Sequence, residues 1–187
     1  MSILIKNLSK SFGTNIVFNN FSTELPDKGI VHLRGASGSG KTTLLRILSG
    51  LEQAEGGGIS GLESKKIAYV FQEDRLLHEL SALENVSIVS NEEQARFWLG
   101  RLGLSHELNK KPPQLSGGMC RRVAIARALA YRGDILLLDE PFNGLDAELK
   151  KILSEILMEV STKALVVLVT HEQGEADIAE QTISIDG

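Results

Sequence analysis

A glycine-rich run that ends in a lysine and two threonines contains the residues best suited to chemistry. The run Gly35-Ala36-Ser37-Gly38-Ser39-Gly40-Lys41-Thr42 fits the pattern G-x-x-x-x-G-K-[ST], whose backbone N–H groups cradle phosphate oxygens. Lys41 is expected to reach the β- and γ-phosphates of a nucleotide, and the Thr42 hydroxyl is expected to hold Mg²⁺. This phosphate loop, with Thr43 behind it, predicts a nucleotide site and leaves kinases, GTPases and motor ATPases open.

The elements on either side of the phosphate loop support this prediction. Ile30–Leu33 is predicted to be a buried strand that leads into the loop, and Thr42–Leu48 a helix whose positive end faces the anion. Gly50 is placed to end that helix. The alternative is a glycine-rich turn before an ordinary helix, which explains neither the lysine nor the hydroxyl behind it.

Two acidic residues follow a second apolar strand. Asp139 and Glu140 come directly after Ile135–Leu138, at the kind of strand end where open α/β sheets bind their ligands. Asp139 is expected to lie in the Mg²⁺ shell, and Glu140 to accept a proton from an attacking water. Such a pair alone is usually a solvated loop, so its meaning depends on the phosphate loop in the same chain.

A third feature is a serine and two glycines before a long helical run. In the segment Leu115-Ser116-Gly117-Gly118-Met119, Ser116 can cap a helix that continues through Ala130. Gly117 and Gly118 leave bare N–H groups at the positive end of this helix, which predicts a second anion site. One chain has no obvious use for two such sites.

Composition limits the classes of protein to which the chain can belong. Its 187 residues fit one domain, and Cys120, the only cysteine, cannot form an intrachain disulfide. The net charge of −4 leaves no basic surface for nucleic acid, which is not expected as a partner. No apolar run approaches the roughly 20 residues that span a bilayer, and the start lacks a signal-peptide pattern. The chain is therefore expected in the cytoplasm.

Alternating strand and helix signals predict an α/β fold with a P-loop NTPase core, a mainly parallel sheet with flanking helices. An N-terminal antiparallel β-subdomain (about 1–28) and a small helical subdomain (73–113) join this core (29–72 and 114–187). Four short apolar segments are predicted to be buried central strands, namely Ile30–Leu33, Ile67–Phe71, Ile135–Leu138 and Leu165–Val169. Gly56–Gly58 is predicted to be a flexible loop, and Phe97 and Trp98 to pack inside the helical subdomain.

Taken in order along nearly the whole chain, these motifs resemble the ATP-binding cassette (ABC) family, whose signature is L-S-G-G-Q. The resemblance implies two chains arranged head-to-tail, with each Mg·ATP between the phosphate loop of one chain and the signature of the other. It also implies that Phe12 stacks on adenine and that Gln72 contacts Mg²⁺ and relays nucleotide state. Glu140 would be the general base, His171 would contact the γ-phosphate, and Asp146 would lie at the dimer interface.

Two departures from the family pattern bear on that interface. Met119 replaces the usual signature glutamine, and Asn143-Gly144 replaces serine and alanine in the segment Asn143-Gly144-Leu145-Asp146. We expect an altered interface with retained activity. The chain ends shortly after its last predicted strand, at Asp186-Gly187, which suggests a minimal cassette without a C-terminal extension.

The resemblance also implies partners and a location. A second cassette subunit, a transmembrane permease and, indirectly, a solute-binding protein are expected, at the inner face of the cell membrane. The segment from Phe71 to Val86 is similar to subunits of bacterial importers for sulfonates, taurine or nitrate, and Arg75, Leu76, Leu77 and Leu80 are expected to edge a groove for the permease. A non-transport ABC ATPase and a nucleotide-gated interaction module without turnover remain the alternatives.

Overall fold

A computed structural model describes residues 2–185 of the chain, so Met1 and the predicted chain end at Asp186-Gly187 lie outside it. The strands are β1 (Ile3–Phe12), β2 (Asn15–Leu25), β3 (Gly29–Arg34), β4 (Gly56–Ser60), β5 (Ile67–Val70), β6 (Ile135–Asp139), β7 (Leu165–Val169) and β8 (Gln181–Ser184). The helices are α1 (Lys41–Leu48), α2 (Ala82–Ser87), α3 (Glu92–Arg101), α4 (Gly117–Tyr131), α5 (Ala147–Ser161) and α6 (Gln173–Ala176), with a 3₁₀ turn at Pro112–Gln114.

A five-stranded parallel sheet in the order β5-β6-β7-β3-β8 forms the centre of the molecule. This arrangement confirms the predicted α/β class. Of the four strands predicted to be central, β5 instead lies at an edge, and within residues 2–185 β6 is the one strand that pairs with it. Ile67 and Tyr69 are accordingly half-buried, whereas every residue of β6 and β7 is buried.

Two hydrophobic cores occupy the two faces of this sheet, because side chains alternate along each strand. Leu136 and Leu138 of β6 point into a core shared with α2, α3, α4 and α5. Ile135 and Leu137 point the other way, into a core shared with α1 and the first two strands. The phosphate-loop helix and the helix that follows Ser116 therefore pack on opposite faces of one sheet.

A separate antiparallel sheet in the order β2-β1-β4 joins the first two strands of the chain to β4, which follows α1. The prediction that Gly56–Gly58 is a flexible loop is wrong, because these residues form β4 and pair with β1. Gly57 has φ +80°, and a Cβ there would overlap the backbone of Lys6 and Asn7. Glycine permits this close approach of two backbones, and the pairing partner, not a side-chain pattern, makes the segment a strand.

The helical part between β5 and α4 has well-defined helix starts. Ser81 and Glu84 form a capping box at α2, and the Asn91 side chain caps α3. Trp98 is 8% exposed and packs in the core as expected, but Phe97 is 51% exposed, so the packing prediction is wrong for Phe97. Over residues 2–185, no helix has both the length and the apolar character to cross a membrane.

Candidate active site

The carboxyl ends of β3, β6 and β7 and the β1–β2 turn meet around a cavity of about 370 Å³. Eleven of the predicted site residues line it: Phe12, Ser37, Gly38, Gly40, Lys41, Thr42, Thr43, Gln72, Asp139, Glu140 and His171. Asn15, Val17 and Val169 line it as well, and the sequence did not single these out. Residues from five separate stretches of the chain are thus brought to one place.

The phosphate loop has a backbone that suits glycine. Gly38 and Gly40 have φ of +80° and +103°, a region that residues with side chains rarely adopt. A Cβ at Gly40 would lie 2.5 Å from Val17 Cγ1, and one at Gly35 would overlap the Ile185 carbonyl oxygen. Ser39 Oγ is buried and has no hydrogen-bond partner among the described residues, so a polar group is available inside the loop.

Lys41 is held inside the phosphate loop, although it is a charged residue only 6% exposed. Its ammonium donates to the carbonyl oxygens of Gly35 and Ala36, each at 2.8 Å. These bonds satisfy two of its three donors and fix the nitrogen beside the cavity. The arrangement places a positive charge where phosphate oxygens would bind, at the start of α1.

Thr42 and Asp139 form the oxygen-rich side of the cavity. The Thr42 hydroxyl donates to Asp139 Oδ2 at 2.8 Å. Burial raises the pKa of Asp139, and the Thr42 hydrogen bond and the nearby Arg121 charge oppose that rise. A hydroxyl and a carboxylate are oxygen donors of the kind Mg²⁺ prefers, and Mg²⁺ usually completes its shell with phosphate and water. These residues therefore fit the predicted metal.

No cluster of three or more His, Cys, Asp or Glu residues suited to a metal ion occurs within residues 2–185. Such a cluster is not expected for Mg²⁺ held with substrate phosphates, since one or two carboxylates suffice. The donors present are thus a threonine, an aspartate and, on the same cavity wall, the Gln72 side chain.

Glu140 directly follows β6 and has an unusual backbone conformation. Its φ is +53°, in the left-handed region, and its N–H donates to the Val169 carbonyl oxygen at 2.9 Å. The residue is only 6% exposed, and burial raises the pKa of its carboxyl group, with the neighbouring His171 opposing the rise. A carboxylate whose proton affinity is raised is better suited to accept a proton from water.

His171 faces Glu140 across the cavity. Its Nε2 lies 3.2 Å from Glu140 Oε1, although the two groups are not aligned for a hydrogen bond. The His171 side chain is 60% exposed, so a ligand can reach the ring. The proximity of His171 to Glu140 was not a sequence prediction, and it allows one bound group to contact both side chains.

Gln72 and Phe12 complete the cavity at its open sides. Gln72 is exposed just after β5, where the chain turns into the helical part. Phe12 is 49% exposed at the β1–β2 turn, and Lys10 Nζ lies 4.8 Å from the centre of its ring. An exposed aromatic face beside a phosphate site suits stacking on a nucleotide base.

Gly35, Ala36 and Ser39 belong to the phosphate loop but do not line this cavity. The predicted ligands outside the loop, Ser116, Gly117, Gly118 and Asp146, do not line it either. Ser116 Oγ accepts from the Met119 N–H at 3.3 Å, and Asp146 Oδ1 accepts from the Leu149 N–H at 2.9 Å, so both act as helix caps. A Cβ at Gly118 would lie 2.5 Å from the Gly144 carbonyl oxygen, which puts the two glycines in backbone contact. Within one chain, these residues form a second group apart from the phosphate loop.

Arg121 is the main site-related residue that sequence reasoning missed. It is 4% exposed and donates to the carbonyl oxygens of both Asp139 and Glu140. A signal was present: Arg121 shares a helix face with Ile125 and Ala128, and a charged residue on a buried face needs specific partners.

The comparisons with known proteins agree with this geometry. Residues 18–143 match the family described as ABC transporter. The chain belongs to this family. It is 39% identical to the sulfate/thiosulfate import ATP-binding protein CysA of Nephroselmis olivacea, over 98% of this chain and 60% of that protein. It is also 39% identical to CysA of Escherichia coli K12, over 98% of this chain and 57% of that protein. The chain thus spans somewhat more than half the length of these relatives.

Two solved structures of ABC cassettes share the fold. A dimeric post-hydrolysis state of the ATP-binding cassette MJ0796 with ADP and Pi has a TM-score of 0.89 and 31% identity, and the match covers 98% of this chain and 94% of that one. A second dimeric structure, of MJ0796 described as a bacterial ABC transporter cassette, has a TM-score of 0.85, 30% identity and the same coverage.

Proposed function

We propose that this chain is the ATP-binding and ATP-hydrolysing subunit of an ABC transporter. The observation that carries the proposal is the single cavity in which the phosphate loop, the Thr42–Asp139 pair and the Glu140–His171 pair meet. Membership of the family and the import names of the relatives support the same conclusion.

Binding would use charge and backbone donors already in place. Lys41 and the phosphate-loop N–H groups would hold the phosphates, and Phe12 would stack on the adenine. Mg²⁺, held by Thr42, Asp139 and Gln72, would neutralise charge on the phosphate oxygens when bound. The chain's own part is to fix these groups before substrate arrives, which removes reorganisation from the reaction.

For hydrolysis, Glu140 would orient a water and accept its proton, while His171 would contact the terminal phosphate. Because the two side chains are 3.2 Å apart, a water bound to Glu140 would lie next to a phosphate bound to His171. Phosphoryl transfer needs positioning and charge stabilisation more than covalent chemistry, so no nucleophilic residue is required. The raised pKa of Glu140 fits the role of base.

Pairing of two chains would complete each site. Ser116, Gly117, Gly118 and Asp146 lie outside the cavity of their own chain, so they are free to contact nucleotide bound by a second copy. The dimeric states of the MJ0796 cassette support this arrangement. Met119 and Asn143-Gly144 would lie at the same interface, and we expect turnover in spite of these departures.

The pair would drive a separate transmembrane permease from the cytoplasmic face of the cell membrane. The importer names of the relatives favour uptake as the direction, with a solute-binding protein acting on the outer side. The coupling segment, which we define as Glu73–Val86, would contact the permease. In this segment Leu76 is 8% exposed and packs in the core, whereas Leu77 is 46% exposed, so of these two expected contact residues we retain Leu77 and drop Leu76.

The direct test is phosphate release from Mg·ATP by the full chain, alone and reconstituted with its permease in lipid vesicles. We expect weak turnover alone and a large increase with permease and cargo. Turnover that is absent in both states, with ATP still bound, would favour the nucleotide-gated interaction module. Turnover that no permease alters would favour a non-transport ATPase.

A further inference from the structure

Arg121 joins two catalytic stretches of the chain through a single buried guanidinium group. Nη2 donates to the carbonyl oxygens of Asp139 and Glu140, at 2.5 and 2.6 Å. Nη1 donates to the carbonyl oxygen of Phe71 at 2.5 Å, with the Gln72 carbonyl oxygen and Asp74 Oδ1 at 3.4 and 3.3 Å. One side chain thus reaches the end of β6 and the chain just after β5.

These contacts suit arginine in particular. The guanidinium is planar and carries its donors in a fixed fork, so it can bind acceptors on two sides at once with defined angles. Burial lowers the pKa of Arg121, and the nearby Asp74 carboxylate opposes this. Four of the five contacts are backbone carbonyl oxygens, so Arg121 acts mainly on the course of the main chain.

The main chain at Glu140 requires such support. A residue other than glycine at φ +53° is strained, and it persists where its surroundings fix both neighbouring peptides. On one side, the Glu140 N–H is bound to the Val169 carbonyl oxygen. On the other, the Glu140 carbonyl oxygen receives Arg121 and, at 3.3 Å, the Asn143 N–H. The direction of the Glu140 side chain depends on this peptide.

We propose that Arg121 is a positioning residue for hydrolysis: it fixes the Glu140 backbone so that the Glu140 side chain faces the cavity, and the Phe71 carbonyl oxygen holds the guanidinium in place for this. This inference rests on the proposed role of Glu140 as general base. Arg121 itself contacts neither nucleotide nor water in this role. Its loss should therefore lower kcat and leave nucleotide binding nearly unchanged.

The test compares Arg121→Gln with Arg127→Gln in the full chain. Arg127 is a matched control, because it lies on the same helix and donates to the carbonyl oxygens of Asp74 and Arg75 but to neither carbonyl of the acidic pair. Phosphate release from radiolabelled ATP at high protein concentration measures slow turnover, and a fluorescent ATP analogue measures affinity. Arg121→Gln should lower kcat by about 10 to 100-fold, as misplacement of a catalytic group does, with KM changed by less than about threefold. Arg127→Gln should change kcat by less than about threefold.

A double variant separates positioning from general damage. In a Glu140→Gln background, Arg121→Gln should lower the residual rate by less than about threefold, because the group on which it acts is already gone. Equal losses in both backgrounds, or a parental kcat for Arg121→Gln, would overturn the inference. A parental rate for Glu140→Gln alone would instead overturn the proposed function.

If Arg121→Gln does not fold, Arg121→Lys provides the same comparison. One ammonium group cannot bind the end of β6 and the Phe71 carbonyl oxygen together with the same geometry, so we expect a smaller loss of kcat, about 3 to 10-fold, at unchanged affinity. A Lys variant with the parental kcat would show that the forked donors of the guanidinium are not required.

Discussion

The hydroxyl of Thr42 donates to Asp139 Oδ2 at 2.8 Å, although the two residues are 97 positions apart in the chain. The contact joins the first turn of α1 to the end of β6, a strand of the sheet on which α1 packs. Both oxygen atoms are expected to take part in the Mg²⁺ site, so the protein brings them together before the metal binds. The distance between these two expected Mg²⁺ ligands is therefore set by the fold and not by the metal.

Thr42→Val tests this contact, because it keeps the shape of threonine and removes the hydroxyl. Asp139 then loses a hydrogen-bond donor in a buried position, and the free energy of unfolding should fall by about 1 to 2 kcal/mol. The affinity for ATP should lose most of its dependence on Mg²⁺. Urea unfolding and ATP titrations with and without EDTA measure the two effects.

Thr43→Val is the matched control for stability, because the neighbouring hydroxyl does not bond to Asp139. Thr42→Ser should behave like the parent in both measurements. Equal loss of stability in the two valine variants would show that the Thr42–Asp139 hydrogen bond contributes nothing particular.

Glu140→Gln should reduce turnover by about 10² to 10⁴-fold and leave ATP binding nearly intact, since it preserves size and removes the proposed base. Mg·ATP should then hold two chains together, because hydrolysis no longer releases them. Size-exclusion chromatography with and without Mg·ATP detects the dimer. Hydrolysis at the parental rate would remove Glu140 from its assigned role.

The same substitution should change how stability depends on pH. Burial raises the pKa of Glu140 above its ordinary value of 4.5, so the folded state binds this proton more tightly than the unfolded state. As pH rises through the window from 4.5 to the folded pKa, the parent loses stability, and above that window the loss is complete. Glu140→Gln should therefore be more stable than the parent at pH 8, and the difference should shrink as pH falls towards 4.

His171→Ala provides a control for this effect. The charge of His171 lowers the pKa of Glu140, so its removal should extend the window to higher pH. Thermal or urea unfolding at several pH values would show both shifts. A difference between parent and Glu140→Gln that does not vary with pH would mean that another property of glutamine sets it.

Ser116→Arg should abolish ATP-driven pairing without weakening nucleotide binding by the single chain. Ser116 is exposed at the start of α4 and lies outside the cavity, so a bulky side chain there would block only a second copy. Nucleotide titration at low protein concentration and light scattering with Mg·ATP separate the two properties. Strong loss of affinity in the dilute monomer would contradict a site built from two chains.

Cysteine crosslinking tests the coupling segment. In a Cys120→Ser background, Leu77→Cys should crosslink to cysteines in the cytoplasmic loops of the permease, because Leu77 is exposed. Leu76→Cys should not, since Leu76 is buried in the core. If positions from Glu73 to Val86 fail to crosslink in an active complex, while positions elsewhere succeed, the segment is not the docking site.

Local motifs were predictable from the sequence because each motif contains the residues that determine its own conformation. The phosphate loop contains its glycines, lysine and hydroxyl within eight consecutive residues, and Ser81 and Asn91 cap the helices directly behind them. Asp139 and Glu140 follow a short apolar run, Ile135–Leu138, whose length and composition indicated a buried strand. In these cases the residues that determine the structure are neighbours in the chain.

Features that depend on distant partners were not predictable in the same way. Gly56–Gly58 has no side chains to signal a strand, and β1 supplies the hydrogen bonds that make it one. The partners of Arg121 lie 18 to 50 positions away, so its role emerges only when α4 packs against the sheet. Phe97 and Trp98 are adjacent on one helix, and packing against α4 and its neighbours, not residue type, decides which is buried.

The backbone contact between Gly118 and Gly144 has a mechanical consequence. Since a Cβ at Gly118 would lie 2.5 Å from the Gly144 carbonyl oxygen, no side chain separates the start of α4 from the turn four residues after Glu140. In a pair of chains, the start of α4 would contact the nucleotide of the neighbouring chain, and the turn at Gly144 follows the proposed base Glu140 of its own chain. The contact between Gly118 and Gly144 would therefore link these two parts of the site. A displacement of either segment would then pass to the other with no side chain between them to absorb it.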